Sequence, residues 1–386
     1  MKNLKFTILI AFFLGIFNLQ FTLLLAQRQY ATQSVLAAGN CYKLSTKIEG
    51  IYKVDVSFLN SLGINTNNLA SASIQLFGNG GKMLNENNSV YPLDDVTENA
   101  IEMFDGGDGV FNGNDFFLFY GQSPDNWLKD SINQKFIHQK NIYADSVIYF
   151  IKIGNNGKRI NSSNTISTAN KFVTSFNERY FYEHDLINFL NSGKEWFGEE
   201  FSSLPGNSLS RSFAVDMSGL EPAQPIQLNT NLACRSIGSS SSFSVTVNNQ
   251  IVQNINMGIV SGNFLEAFVT NNSQNSFFSA SNTLLNISFN FNPSSLSAQG
   301  WLNWFELHAR KILSMASQNQ LFFRDWQSVG TGNIVKYTIN NCTSTTSVWD
   351  ITNSLVPEKI STTFGNAQLT FNRESSRLRE FIVFNN

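Results

Sequence analysis

The stretch "LLNISFNFNP" (residues 284–293) decides the fold class of this chain. Apolar and polar residues alternate through it, and the side chains of a β-strand alternate between two faces with the same period of two. The stretch therefore predicts a strand with one dry face and one polar face. The dry face carries Leu285, Ile287, Phe289 and Phe291.

The segments before this strand repeat the pattern. "SSFSVTVNNQIVQNINMG" (241–258) contains two alternating runs on either side of Asn248 and Asn249, which is typical of a β-hairpin. "PIQLNTNLACRSI" (225–237) also alternates. Several short strands separated by turns predict a β-sandwich or jelly-roll-like domain, which we assign to residues 171–330.

The composition agrees with a sheet-rich protein. Of the 386 residues, 35 are Phe and only 14% are charged, against about 25% in an average soluble domain. Aromatic, β-branched and uncharged polar residues together favour strands over helices. The predicted fold class is therefore mainly β, with an N-terminal β-rich module followed by the β-sandwich or jelly-roll-like domain.

The N-terminal β-rich module is assigned to residues 41–154. "YKLSTKIEGIYKVDV" (42–56) predicts two short strands about Gly50, and "VSFLNSLGINTNNL" (56–69) predicts one short helix that stops at Gly63. Further strand candidates are "SIQLF" (73–77), "DFFLFY" (115–120) and "SVIYFIKI" (146–153).

Composition divides the rest of the chain. Residues 155–170 are rich in Gly, Asn and Ser, which predicts a linker. Residues 27–40 form a polar lead-in before the first module. Residues 331–386 predict a set of terminal strands, including "NIVKYTI" and "REFIVFNN".

Residues 1–26 predict a secretory signal peptide. Lys2 and Lys5 form a short positive region, the sequence from Phe6 to Leu25 is almost unbroken apolar, and the small Ala26 offers a cleavage point. About 20 apolar residues can also span a bilayer, so an uncleaved membrane anchor is the alternative. The signal-peptide interpretation predicts that the chain is exported.

Several function classes lack support in the sequence. The net charge is −2 and no basic stripe is present, so we expect no nucleic-acid partner, because phosphate neutralisation requires clustered Lys and Arg. The three cysteines and three histidines are dispersed, and no G-x-S-x-G elbow occurs. Cys234 lies in an alternating run and Cys342 in a polar loop. We therefore predict no catalytic residue and no cofactor-binding residue in this chain.

"EMFDGGDGVFNGNDFFLFYGQSPDNW" (102–127) raises the question of calcium. A standard twelve-residue calcium loop placed over it puts Phe104 and Gly106 at the first and third ligand positions, and neither has a side-chain oxygen. A looser calcium site of Asp105, Asp108 and Asp115 is one hypothesis. The favoured interpretation is a turn, in which the glycines adopt positive φ and the aspartates accept hydrogen bonds from turn amides.

Three other stretches have a chemical and a structural interpretation. "LFGNGGKM" (76–83) lacks the spacing of a phosphate-binding loop, and a hairpin turn is favoured. "NSGKEWFGEEF" (191–201) contains three glutamates that could suggest sugar hydrolysis, but a solvated face is favoured. "GWLNWFELHARKIL" (300–313) could present Trp301 and Trp304 to sugars, although burial in the core is the favoured interpretation.

Six phrases in the same order resemble one family. The phrases are "GIYKVDVSFLNSLGI", "IQLFGNGGKML", "DGGDGVFNGNDFFLFYGQSPDNW", "HQKNIYADSVIYFIKIG", "NSGKEWFGEEF" and "VWDIT". They resemble the N-terminal region of the type IX secretion system sortase (PorU-like), a relative of the gingipain-type cysteine peptidases. One departure is Lys194, where the resemblance leads us to expect Arg.

This resemblance implies a location and a set of partners. The family enzyme lies at the outer membrane of Gram-negative bacteria, cleaves C-terminal signals from exported cargo and attaches the cargo to the cell surface. The chain would be its non-catalytic front, exported to the outer membrane, cell surface or periplasm. Its partners would be secreted cargo proteins and outer-membrane secretion components, and residues 331–386 would lead into a peptidase domain that is missing here. A stand-alone surface β-sandwich that binds glycan or protein is the alternative.

Overall fold

Nearly all of the regular secondary structure in the described residues is β-strand, and the mainly β fold class is confirmed. In the described part, one short helix, α1 (Val56–Ser61), and two single 3₁₀ turns interrupt the strands. Among the residues that the structure describes, no helix is long and apolar enough to cross a membrane. The predicted signal peptide, 1–26, lies outside the described residues. The computed structural model describes residues 30–164, 166, 168–191, 193–316 and 318–385.

Two sheets form the N-terminal part and share one core. Val54, Phe117 and Phe119 from one sheet pack with Tyr149 and Ile151 from the other, and all five are buried. The first sheet consists, in spatial order, of β1 (Cys41–Thr46), β9 (Val147–Ile153), β3 (Ile74–Phe77) and β4 (Glu98–Asn99). The second consists of β2 (Gly50–Asp55), β6 (Phe116–Gly121) and β5 (Glu102–Phe104).

The middle of the chain is a β-sandwich. Leu228 and Phe305 of one sheet and Phe243 and Phe289 of the other lie in the same buried cluster. The first sheet consists of β12 (Ser175–Glu183), β20 (Gln299–Ile312), β15 (Ile226–Arg235) and β18 (Thr270–Phe278), and β13 (Glu200–Ser202) also pairs with β20. The second consists of β14 (Ser210–Asp216), β19 (Leu284–Asn292), β16 (Ser242–Val247) and β17 (Gln250–Asn256).

The sequence patterns that predicted this sandwich are confirmed strand by strand. All four residues of the dry face of β19 are buried, at 2% exposure or less. The strands β16 and β17 form the predicted hairpin. Asn248 and Asn249 take φ values of 48° and 68° at its turn, which is the left-handed conformation that two-residue hairpins require.

Two further sheets close the C-terminal part. Phe323 and Phe381 of one sheet and Tyr337 and Phe371 of the other share a buried cluster. The first sheet consists of β10 (Asn161–Ser163), β24 (Glu358–Ile360), β23 (Thr346–Asp350), β27 (Glu380–Asn385) and β21 (Gln320–Arg324). The second consists of β11 (Lys171–Val173), β22 (Ile334–Asn340), β26 (Gln368–Glu374) and β25 (Thr363–Gly365).

The predicted linker, residues 155–170, contributes a strand to these sheets. Within it, β10 pairs in parallel with β24, and just after it β11 pairs in parallel with β22. The segment that leaves the N-terminal part therefore enters the C-terminal sheets before the chain begins the middle sandwich. The domain boundaries given above stay predictions.

The N-terminal and C-terminal parts meet at an apolar face. Leu118 and Tyr120 on the outer side of β6 cluster with Trp349, Ile382 and Phe384. The side-chain amide of Gln320 continues this contact at the edge strand β2. Its Oε1 accepts the N–H of Ile51 at 2.8 Å, and its Nε2 donates to the carbonyl of Ile51 at 3.2 Å.

A buried carboxylate joins all three parts. Glu380 of β27 forms ion pairs with Lys129, with Arg179 of β12 at 3.2 Å and with Arg324 at 3.7 Å. Burial by itself raises the pKa of Glu380, but Arg179, Lys129 and Arg324 together lower it to about 2. The carboxylate is therefore charged at neutral pH and neutralises cations from the other two parts.

A two-stranded hairpin, β7 (Asn126–Asp130) and β8 (Lys135–Gln139), extends from the N-terminal part over the middle sandwich. The His138 ring stacks on Phe181, and the backbone N–H of His138 donates to Glu306 Oε1 at 2.9 Å. Burial lowers the pKa of His138 to about 3. At neutral pH the imidazole is therefore an uncharged packing group against the sandwich.

Candidate functional site

The aspartates of the 102–127 stretch lie in consecutive tight turns. Asp105 Oδ1 accepts the N–H of Gly107 at 3.1 Å, and Asp108 Oδ1 accepts the N–H of Val110 at 2.9 Å. Asp115 Oδ2 accepts the N–H of Asn112 at 2.8 Å. Each carboxylate thus bonds a turn amide two or three residues away, as expected for Asp in turns.

The glycines between the aspartates adopt the backbone conformation that the turn interpretation requires. Gly106, Gly107, Gly109 and Gly113 have φ values of 65°, 85°, 78° and 57°, where a side chain would be strained. These turns lead the chain into β6, the central strand of its sheet. In the described ranges no group of three or more His, Cys, Asp or Glu side chains is arranged to hold a metal ion. The calcium hypothesis stays a prediction for Asp105, Asp108 and Asp115.

An open cavity of about 390 Å³ lies beside the first of these turns. Its wall combines the apolar Met103 and Ile160 with the charged Asp105, Glu102 and Arg159. Arg159 is half-buried, and its guanidinium donates to the carbonyl oxygens of two residues, Ser71 at 2.6 Å and Ile74 at 3.2 Å. This arginine therefore fastens the segment after β9 onto the core.

The charges around this cavity are partly satisfied by the protein itself. Burial lowers the pKa of Arg159, and the carboxylates of Glu98 and Asp105 oppose that effect. The hydroxyl of Ser71 and the amide of Gly107 lower the pKa of Asp105. Glu102 forms an ion pair with Lys359 of β24. The arrangement is that of a structural ion network at a module boundary.

Two of the three cysteines, Cys234 and Cys342, lie where a nucleophile would be inert. Cys234 is fully buried in β15 beside the hydroxyl of Ser236, and Cys342 donates to the carbonyl of Ile339. Burial raises the pKa of both thiols, that of Cys342 to about 11. A thiol with a raised pKa remains protonated at neutral pH and is a poor nucleophile.

The glutamates of the 191–201 stretch are held by separate partners. Glu199 bonds Tyr182 and, at 3.2 Å, His184, whereas Glu200 accepts from Asn207 at 3.0 Å. Glu195 is exposed and lies in a groove described below. The packed aromatic residue of the stretch is Phe197, which is buried, while Trp196 is only half-buried.

Trp301 is buried in the core at 2% exposure, as favoured from the sequence, whereas Trp304, for which the same was favoured, is only half-buried. The prediction of a hairpin turn at 76–83 is wrong, because β3 and β4 pair across a connection of twenty residues, 78–97. The glycines there allow close packing. A Cβ on Gly81 would lie 2.3 Å from the carbonyl oxygen of Ser123.

Sequence reasoning missed a groove at one end of the middle sandwich. It has a volume of about 210 Å³ and lies between the 184–199 segment and the 257–269 loop. Eight residues besides Glu195 line it: Asn188, Phe189, Leu190, Phe197, Ala267, Phe268, Val269 and Asn271. The available signal in the sequence was the adjacent pair of large apolar residues Phe264 and Leu265, which stands between the polar Asn263 and Glu266. Both apolar side chains are exposed.

Comparison with solved structures shows a shared fold. The chain superposes on the crystal structure of dimeric latent PorU from Porphyromonas gingivalis with a TM-score of 0.75 and 16% sequence identity. The match covers 92% of this chain and 33% of the PorU chain. The chain therefore has a PorU-like fold and spans about a third of the length of that protein.

Other comparisons do not extend this result. BuGH86 in complex with neoagarooctaose matches at a TM-score of 0.23 and 10% identity over 70% of this chain and 32% of its own. The insecticidal delta-endotoxin Cry8Ea1 of Bacillus thuringiensis matches at a TM-score of 0.21 and 11% identity. That match covers 64% of this chain and 43% of the endotoxin chain. Scores this low do not indicate a common fold. No protein-family model and no curated protein matches the sequence.

Proposed function

We propose that this chain is the non-catalytic N-terminal portion of a type IX secretion sortase-like cysteine peptidase. The observation that carries the proposal is the PorU-like fold, which extends over 92% of the chain. The six phrases of the sequence that resemble this family support the same assignment. In this role the chain is exported to the outer membrane, cell surface or periplasm, and it contacts secreted cargo and outer-membrane secretion components.

The physical contribution of such a portion is to hold other parts in place. Glu380 joins the N-terminal, middle and C-terminal parts through ion pairs, and the face of Tyr120 and Trp349 adds an apolar contact. A large apolar interface restrains relative motion between parts of a chain. A rigid body of this kind is suited to positioning a peptidase against its cargo, which the full family enzyme cleaves and attaches to the cell surface.

Deletion of the gene in the source bacterium tests the proposal. A reporter cargo that carries a type IX C-terminal signal should then accumulate uncleaved and should be absent from the cell surface, as read by immunoblot and by surface labelling. Restoring the gene should restore both, whereas the purified chain alone should leave the cargo uncut. Normal processing and attachment in the deletion strain would refute the proposal and would leave the stand-alone binding module as the function to test.

A further inference from the structure

The groove at the end of the middle sandwich has a preformed aromatic floor. The Phe189 ring stacks on Phe197 with centroids 4.8 Å apart, and it meets the edge of Trp301 at 4.6 Å. Phe268 closes the other side, 5.0 Å from Phe189. Phe197 and Trp301 are both 2% exposed. The floor is therefore fixed by core packing and needs no rearrangement to receive a ligand.

The size of the groove indicates what it accepts. Cavities that enclose drug-sized ligands or cofactors usually measure about 300–1,000 Å³, whereas this groove measures about 210 Å³. Protein interfaces commonly insert one aromatic or aliphatic side chain into a pocket on the partner. The volume thus favours a single large apolar side chain over a cofactor.

One carboxylate gives the groove its electrostatic character. Of the described residues that line the groove, Glu195 is the one that carries a charge. Asn271 Nδ2 donates to Glu195 Oε1 at 3.0 Å, and Asn188 Nδ2 donates to the Glu195 carbonyl at 2.9 Å. The nearby Arg235 stacks on the Phe268 ring and donates to the Phe268 carbonyl rather than to Glu195. A fixed negative charge at the rim favours a positively charged neighbour on the ligand.

Exposed apolar side chains occur in both segments between which the groove lies. Phe264 is 96% exposed, Leu265 is 86% exposed and Leu190 is 75% exposed. Contiguous apolar side chains in water mark sites where another molecule docks. A lipid surface fits less well, because membrane-binding loops are rich in Lys and Arg, whereas here Lys194 and Arg235 are accompanied by Glu195 and Glu266.

We infer that this groove binds an extended peptide segment that carries an aromatic or large aliphatic side chain beside a lysine or arginine. The apolar side chain occupies the space over Phe189 and Phe197, and the cation pairs with Glu195. The 264–268 loop covers the neighbouring part of the peptide. This inference does not depend on the proposed function, because it concerns binding by the purified chain.

The test uses two fluorescein-labelled peptides that differ only in charge, acetyl-Gly-Lys-Phe-Lys-Phe-Gly and the same peptide with Glu for Lys. We expect fluorescence anisotropy to show at least tenfold tighter binding of the Lys peptide at low salt. Glu195→Gln keeps an oxygen for Asn271 but removes the charge, and it should bring the two affinities within about twofold of each other. Leu190→Ser should weaken binding of the Lys peptide at least fivefold.

Ile132→Ser is the matched control, since Ile132 is also highly exposed, at 93%, but lies in the turn of the β7–β8 hairpin. It should bind both peptides as the wild type does, and circular dichroism should show the same fold for all variants. Equal affinity for the two peptides, no binding of either, or a charge preference that survives Glu195→Gln would overturn the inference. An Ile132→Ser variant that loses as much affinity as Leu190→Ser would overturn the inference too. So would a wild-type chain that sediments with phosphatidylcholine vesicles and binds neither peptide.

Discussion

Glu380→Gln should destabilise the chain strongly at neutral pH. The substitution keeps the size of the side chain but removes the negative charge that lies among Lys129, Arg179 and Arg324. The side chain of Arg324 is 4% exposed and that of Arg179 is 8% exposed. Removing one partner of a buried ion pair costs about 3–5 kcal/mol, because it leaves an uncompensated charge in the interior.

The pKa of Glu380 gives a second estimate of the free energy that the charged carboxylate contributes to stability. The pKa falls from an ordinary value of 4.5 to about 2 on folding, and each unit corresponds to about 1.4 kcal/mol. The charged carboxylate therefore contributes about 3 kcal/mol at pH 7. Because the folded-state pKa is depressed, this stabilisation is complete above about pH 4.5 and is lost as the pH falls towards 2. About 2 kcal/mol of it should be lost by pH 3.

Urea unfolding at pH 7 and at pH 3, followed by circular dichroism, measures both effects. The free energy of unfolding of Glu380→Gln should lie about 3 kcal/mol below that of the wild type at pH 7, and the gap should shrink to about 1 kcal/mol at pH 3. Glu374→Gln is the matched control. The pKa of Glu374 is also lowered to about 2, by Ser376 and Arg379, but its side chain is 38% exposed, so its loss should cost less than about 1 kcal/mol.

Two outcomes would refute the reasoning. A gap below about 1 kcal/mol at pH 7 would mean that the cations do not depend on Glu380 for neutralisation. A gap that stays constant between pH 7 and pH 3 would mean that the carboxylate does not titrate with the depressed pKa on which the estimate rests.

Further predictions concern the core of the sandwich, the close packing of Gly81 against the backbone of Ser123, and the aspartate turns. Phe289→Ala should lower the free energy of unfolding by about 3–5 kcal/mol in urea, because the ring is fully buried between the two sheets of the sandwich. Gly81→Ala should cost about 1–3 kcal/mol through overpacking, whereas Gly365→Ala, whose Cβ would meet nothing within 4 Å, should leave the melting temperature unchanged. Calcium should not raise the melting temperature in calorimetry; a rise that disappears in Asp108→Ala and Asp115→Ala would establish the calcium site and contradict the turn interpretation.

Local patterns predicted the strands because a strand that is buried on one face carries an apolar residue at every second position. The alternation in β19 predicted which side chains are buried, and the two asparagines at 248 and 249 predicted the hairpin turn. The aspartates and glycines of the 102–127 stretch similarly predicted turns, because Asp and Gly act on their own backbone within two or three residues.

Pairings between distant segments could not be predicted in this way. The strand β10 lies in a polar stretch and owes its conformation to β24, about 200 residues later. The groove brings Glu195 to Asn271, which are 76 residues apart. Neither residue differs locally from a solvated surface residue, so only the assembled sandwich brings the carboxylate beside the aromatic floor.

The bond between Gln320 and Ile51 has a consequence for biosynthesis. The unpaired edge of a sheet is a template on which a foreign strand can add, and the amide of Gln320 occupies both backbone groups of Ile51 at the edge of β2. These residues are 269 positions apart. At a translation rate of about 5–20 residues per second, the edge of β2 stays open for many seconds before its cover emerges. A nascent chain therefore exposes the backbone groups of Ile51 to pairing with other strands throughout that interval.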